Sequence, residues 1–371
     1  MKKRPTFIVN RRELAPQEEY HSNTTAERFG FPSDFARATG LSRLKLMHLT
    51  LPPGRRTNAP GAYRDEEEFF LVLEGTPDVW IDGHLHALGE GDAVWFNDRT
   101  GIAHTLINNS DAPVRLFAYG EATRMGSQFH VALERDAVTA AALNAFGKLW
   151  PDPPKRKLGP HDAVSDRERG TPSPKGARRK AKPPFTANWR DILGIDAVMT
   201  YPNSKEMHGI DALFNRLTRF SRIGIHVEVL PPGRRTSWPH AERDEEEFVY
   251  VMAGKVDCWL DGHIHPMNEG DFVGWESRTG ITHVVINNSD EDAVLMVGGE
   301  ASRQRNQFWY PFHPHRNKEI GAEYWHDRPE PKLGPHDGLP NALRASLPPA
   351  SRRNALAANT AAWKLGLRKK K

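Results

Sequence analysis

The sequence predicts an all-β protein made of two copies of one barrel-like domain. Three observations carry this reading: an internal repeat, short strands set between turn signals, and little helix. Residues 52–121 align with 231–300 without a gap, at a constant offset of 179. The copies share PPGRRT (52–57 and 231–236), RDEEEF (64–69 and 243–248), DGH (82–84 and 261–263) and EGD (90–92 and 269–271). They also share Arg-Thr-Gly-Ile-x-His (99–104 and 278–283) and NNSD (108–111 and 287–290). KLGPHD at 157–162 returns at 332–337, so each unit runs past its central block. Such self-similarity marks a tandem duplication, and a length of 371 residues suits two domains.

Within a repeat, the elements follow from local chemistry. EEFVYVMAG (246–254) is a β-branched and aromatic run stopped by Gly254. KVDCWLDGHIHPM (255–267) alternates around an Asp-Gly pair, a favoured two-residue hairpin turn. GDFVGW (270–275) follows a glycine turn, and THVVINNSD (282–290) is a strand running into turn formers. Strands spaced roughly 8–12 residues apart suggest a sandwich or barrel. Helix is expected only in short pieces, over 131–150, 188–195 and 211–221, with AANTAAWKLGL (357–367) a further short candidate.

Composition shifts set the boundaries. The stretch 165–184 is rich in Pro, Gly, Ser and basic residues and reads as a linker. The units are therefore 1–164, with an N-terminal arm and a C-terminal extension, and 185–340, followed by a basic, disordered tail over 341–371. That tail holds eight Lys and Arg and no acid, which accounts for the net charge of +4. The rest of the chain is slightly acidic, so the basic balance is not the footprint of a nucleic-acid groove. No run reaches the ~18 apolar residues of a membrane span. The first residues lack the apolar stretch of a secretory signal. Cys258 is the single cysteine, which excludes an internal disulfide framework and fits a reducing, cytoplasmic setting.

The second repeat carries Gly233, His240, Glu242, Glu247 and Gly254, then Gly270, Gly280, His283 and Asn287. In this order and spacing it resembles the cupin superfamily, specifically a bicupin with two tandem RmlC-like jelly-roll barrels. The nearest resemblance is to bacterial bicupin families without an assigned reaction. Glu242 stands where the family pattern has its second histidine. Residues 240 and 242 differ by two, so on a strand they point to one face. Glu247 arrives on the next strand and His283 on a later one. His240, Glu242, Glu247 and His283 are the candidate ligands of one divalent transition metal (Fe, Mn, Ni or Zn). The first repeat has Gly61 and Tyr63 at the first two of these positions while keeping Glu68 and His104. Any metal is accordingly expected in the C-terminal barrel.

Arg234 and Arg243 are candidate anchors for an anionic substrate, and Trp238 for stacking against it. His84, His86, His263 and His265 follow hairpin turns and read as surface residues. The repeated KLGPHD reads as packing an extension onto each barrel, and the acidic run DEEE as a solvated strand entrance with one inward glutamate. The resemblance implies a metal-dependent enzyme acting on a small, anionic metabolite, with dioxygenase-like chemistry as the first expectation. A non-catalytic ligand-binding cupin (sensor or scaffold) and a cupin isomerase or decarboxylase are the alternatives. The expected partners are a small-molecule ligand and a second copy of the chain, as a homodimer. Neither a membrane nor nucleic acid is expected, because no base-reading motif accompanies the charge.

Overall fold

The computed structural model describes residues 4–14, 27–122, 127–195, 200–204, 206–301 and 306–365. Each repeat forms a jelly-roll-like barrel of two facing antiparallel sheets, with short helices at its margins. In the second repeat one sheet runs Ile8–Asn10, Asp271–Trp275, Glu247–Ala253, Ala293–Glu300, Ile223–Leu230 and Ile210–Leu213. Facing it are His263–Asn268, Lys255–Leu260 and His283–Ile286, together with the small pair Ala241–Glu242 and Phe308–Trp309. The first repeat repeats the plan.

Strand alternation explains where the cores sit. Along Glu247–Ala253, Val249 and Val251 turn into the barrel against Leu295, Val273 and Val285. Phe248 and Tyr250 turn outward and join Phe35, Phe117 and Phe272 in an aromatic cluster between the two barrels. The Phe35 and Phe272 rings stack 4.6 Å apart. A two-residue period thus serves both the barrel interior and the seam.

The glutamate runs are not solvated entrances. The middle glutamate of each is buried and receives three backbone N–H groups from the other barrel. Glu246 accepts from Ser42, Arg43 and Leu44 at 3.0–3.2 Å. Glu67 accepts from Ser221, Arg222 and Ile223 at 2.7–3.3 Å. The seam is therefore related by pseudo-symmetry, and both halves of the repeat use the same device.

The arms are exchanged between barrels. Ile8–Asn10 precedes the first repeat yet pairs with Asp271–Val273 of the second. Thr186–Asn188 precedes the second repeat and pairs with Asp92–Val94 of the first. Asn10 and Asn188 fasten them, donating to Asp271 and Asp92 at 2.8 and 3.0 Å. Sequence order assigned each arm to the unit that follows it, whereas a three-residue strand joins whichever sheet edge offers free N–H and C=O groups.

Two segments expected to lack structure have it. In 165–184, Ser165 caps a short helix, Ala177 is fully buried, and Arg178 forks onto Asp78 at 2.7 and 2.8 Å. Polar pairing orders a stretch with few apolar groups to bury. Residues 341–346 are helical, as are 355–365, close to the short helix expected over 357–367, and Leu347, Ala358 and Ala362 pack with Leu339. Small alanines let this helix lie close to the barrel, a role that low hydrophobicity conceals. Of the helix expected over 211–221, only Asn215–Thr218 is helical, and the strand Ile210–Leu213 precedes it. Over 131–150 the helix is confined to Ala137–Ala145. No described helix is long and apolar enough to cross a membrane.

Each KLGPHD does pack an extension onto its own barrel. Gly159 N–H donates to Asp82 and Gly334 N–H to Asp261, both at 2.7 Å. Trp80 and Trp259 donate their indole N–H to the carbonyls of His161 and His336, both at 2.9 Å. A side chain at Gly83 or Gly262 would collide with this backbone at 2.2–2.3 Å, and both have φ near +85°. Glycine is obligatory in those hairpins.

Candidate metal centre

His240 and His283 meet across an isolated antiparallel bridge, exchanging backbone hydrogen bonds of 3.2 and 2.9 Å. The bridge brings both imidazoles to one face, with ring centroids 4.8 Å apart. His240 Nδ1 lies 2.8 Å from the carbonyl of Trp238, and His283 Nδ1 lies 3.1 Å from that of Ile281. A carbonyl only accepts, so each Nδ1 carries the proton, and each Nε2 keeps a lone pair. This outer contact is the one metal-binding histidines use to fix their tautomer. Trp275 stacks on the His283 ring at 3.9 Å, and Tyr310 lies over His240 at 5.7 Å.

Glu247 enters from the adjacent strand, with Oε2 3.0 Å from His283 Nε2. That oxygen is buried and meets no donor in hydrogen-bond geometry. Two acceptors at this distance repel unless a proton or a cation lies between them. The ligand atoms of His240, Glu247 and His283 all fall within 4.8 Å of one another. Glu242 stands beside this trio, with Oε1 3.7 Å from His240 Nε2 and Oε2 accepting from Asn306 at 2.5 Å.

Electrostatics separates the two acids. Burial, reinforced by Glu247 and Glu245, raises the Glu242 carboxyl well above the usual carboxylate range and keeps it neutral. Burial acts on Glu247 in the same sense, but the contact with His283 and the nearness of His240 outweigh it and hold the carboxylate low. Burial and the neighbouring His283 lower His240 to about 4, so its lone pair is available at neutral pH. Two imidazoles and an ionised carboxylate fit a divalent transition metal.

The trio opens on a cavity of about 250 Å³, lined also by Tyr201, His226, Glu228, Ser237, Phe308 and Tyr310. The three residues expected to hold substrate are elsewhere. Trp238 is 1% exposed, clamped between Tyr201 and His313 at 4.0 and 3.8 Å, and donates to Glu206. Arg234 donates to the carbonyl of His208, and Arg243 to Gln307. Nearness in sequence misled because Arg234, Trp238 and Arg243 lie in turns beside the bridge, where each side chain is taken by a partner outside the cavity. No described Lys or Arg lines the cavity.

The first barrel shows what the substitutions do. Glu68 and His104 remain paired at 3.2 Å, with Phe96 stacked on the imidazole at 3.4 Å. A Cβ at Gly61 would lie 2.3 Å from the Phe129 ring. That aromatic ring takes the space that the His240 side chain uses in the second barrel. His226 and Glu228 were missed in the sequence, although the signal was there. In IGIHVEVL (223–230) they lie two apart on one strand face, where the first repeat has Met47 and Leu49.

The cupin domain family matches residues 47–119 and 226–298. Two cupin domains stand in tandem in this chain. No curated protein matches this bicupin. Among solved structures, it is similar to a tryptophan-to-tyrosine variant of Bacillus subtilis oxalate decarboxylase. The identity is 15%, with 88% of this chain and 86% of that one covered at a TM-score of 0.50. A second similar structure is the same enzyme described with Mn(II) centres, at 17% identity, 82% and 80% coverage and a TM-score of 0.49. At these identities the likeness is one of fold.

Proposed function

We infer that this bicupin is a metal-dependent enzyme acting on a small molecule in the C-terminal barrel, with His240, Glu247 and His283 holding the metal. The observation that carries this reading is the pair of imidazoles, each locked by a carbonyl at Nδ1, facing a buried carboxylate oxygen that lacks a donor. Two histidines and one carboxylate leave positions open, and this donor set is typical of non-haem iron oxygenases. A metal bound there would supply Lewis acidity and, as iron, dioxygen activation. The chain's own groups do the rest. Tyr201, Tyr310 and Ser237 line the wall as neutral hydrogen-bonding groups, and Trp275 and Phe308 add aromatic faces to it. Glu242, held neutral, is placed to deliver a proton into the cavity. An anionic substrate would find its positive charge in the metal, since no described Lys or Arg lines the cavity.

Decarboxylation is the second reading, favoured by that protonated carboxyl, because loss of carbon dioxide leaves a carbanion that needs a proton. The test pairs metal analysis with turnover. Tag-free protein loaded with Fe(II) or Mn(II) is presented with small dicarboxylates, phenols and diols, and dioxygen uptake and carbon dioxide release are followed together. Dioxygen uptake abolished in His240→Ala/His283→Ala supports the oxygenase. Carbon dioxide release without dioxygen uptake selects the decarboxylase. Chelator-insensitive ligand binding with no metal equivalent lost in that variant leaves a binding module.

A further inference from the structure

We propose a second divalent-cation site in the C-terminal barrel, formed by Asp211, His226 and Glu228. It goes beyond the function inferred above and does not depend on it. Asp211 lies opposite Glu228 in the register of Ile210–Leu213 with Ile223–Leu230, and His226 is two residues from Glu228 on the same face. His226 Nε2 is 4.0 Å from Asp211 Oδ1 and 3.9 Å from Glu228 Oε2, and the three ligand atoms fall within 4.8 Å of one another. At bond lengths of about 2.1 Å, one cation spans up to about 4.2 Å between opposed ligands, so small side-chain shifts close the site.

A second observation points to a ligand. Glu228 is 3% exposed and lines the same cavity as His240 and His283, yet its Oε1 has no hydrogen-bond partner. Leaving a buried carboxylate oxygen unmet is costly, and a cation removes the cost. Gly209 passes so close that a Cβ there would lie 1.9 Å from that oxygen, so any side chain at this position would displace the carboxylate. The internal duplicate shows that the fold does not need these groups. At the matching positions the first barrel has Pro32, Met47 and Leu49, the same barrel that has lost His240 and Glu242. Both clusters are thus complete only in the second barrel. Two carboxylates and one imidazole make an oxygen-rich set, suited to Mn(II) or Mg(II) more than the two-histidine site is.

The full chain, stripped with chelator, is titrated with Mn(II) while free ion is followed by electron paramagnetic resonance. Two equivalents are expected in the wild type. Asp211→Asn/Glu228→Gln should keep one, with the other weakened at least tenfold. His226→Met/Glu228→Leu, which copies the first barrel's own residues and removes the buried charge, should do the same with an unchanged circular dichroism spectrum. His240→Ala/His283→Ala should keep the complementary equivalent. A wild type that binds no Mn(II), or a single equivalent that is lost in the His240/His283 variant and kept in both Glu228 variants, overturns the proposal, as do two equivalents surviving in both Glu228 variants. Loss of both equivalents in a folded Glu228 variant also overturns it, because the two clusters would then be one site. Failure of the histidine centre reads differently: the His240/His283 variant would leave the stoichiometry unchanged.

Discussion

At Glu242 and Glu247, two carboxyl groups in one cavity are driven to opposite protonation states by their neighbours. Glu247 faces imidazoles and stays ionised, whereas Glu242 faces another carboxylate and stays neutral. Metal affinity should therefore discriminate between them. Glu247→Gln is expected to weaken Mn(II) binding at the histidine centre by at least tenfold, and Glu242→Gln by much less, in the same titration. A pH prediction follows for the chelated protein. A carboxyl raised in the folded state stabilises fully below its unfolded value, and that contribution is lost as pH rises toward the raised value. Glu242→Gln removes this dependence, so urea unfolding should show the variant gaining stability relative to wild type between pH 5 and pH 8. An equal difference at both values would mean that Glu242 is ionised in the fold.

Short strands do unequal work at the level of elements. Ile8–Asn10 and Thr186–Asn188 each add an edge strand to a sheet of the barrel that does not follow them in sequence, and one asparagine secures each. Asn10→Ala and Asn188→Ala are each expected to cost about 1–2 kcal/mol, because each strips a charged hydrogen bond from a buried aspartate. The two sites lie in different barrels, so the double variant should equal their sum within about 0.5 kcal/mol in urea unfolding. Exchanged arms also satisfy within one chain the pairing that free arms would offer to a second copy. The strand Ile223–Leu230 shows the other use of an element: Ile225 and Val227 build the seam while His226 and Glu228 face the cavity.

For the whole molecule, the seam makes the two barrels one unit. Phe35, Phe117, Phe248 and Phe272 belong to a single buried cluster, and Tyr119 donates to the carbonyl of Gly299 at 2.7 Å. Glu67 and Glu246 complete it by collecting backbone N–H groups across the seam. Glu246→Ala leaves three of these without an acceptor, and a loss of about 3–5 kcal/mol is expected from denaturant unfolding. Wild-type unfolding should follow a single transition, since neither barrel keeps its outer aromatic face covered alone. Two resolved transitions would show that the seam is weaker than its burial implies.

The sequence by itself determined the duplication and the all-β architecture, and it named His240, Glu247 and His283, whose side chains meet in the second barrel. Those rest on exact repetition and on a two-residue period, which are local properties of the chain. Only the tertiary structure decided the fate of Arg234, Arg243 and Trp238, because a side chain's neighbours across a sheet come from distant sequence. The same holds for the seam glutamates, the exchanged arms and the helices after residue 340. It holds again for Asp211, which reaches His226 and Glu228 only through strand register. Hydrogen bonds to backbone groups carry no residue signature, and so these contacts stay silent until the sheets are assembled.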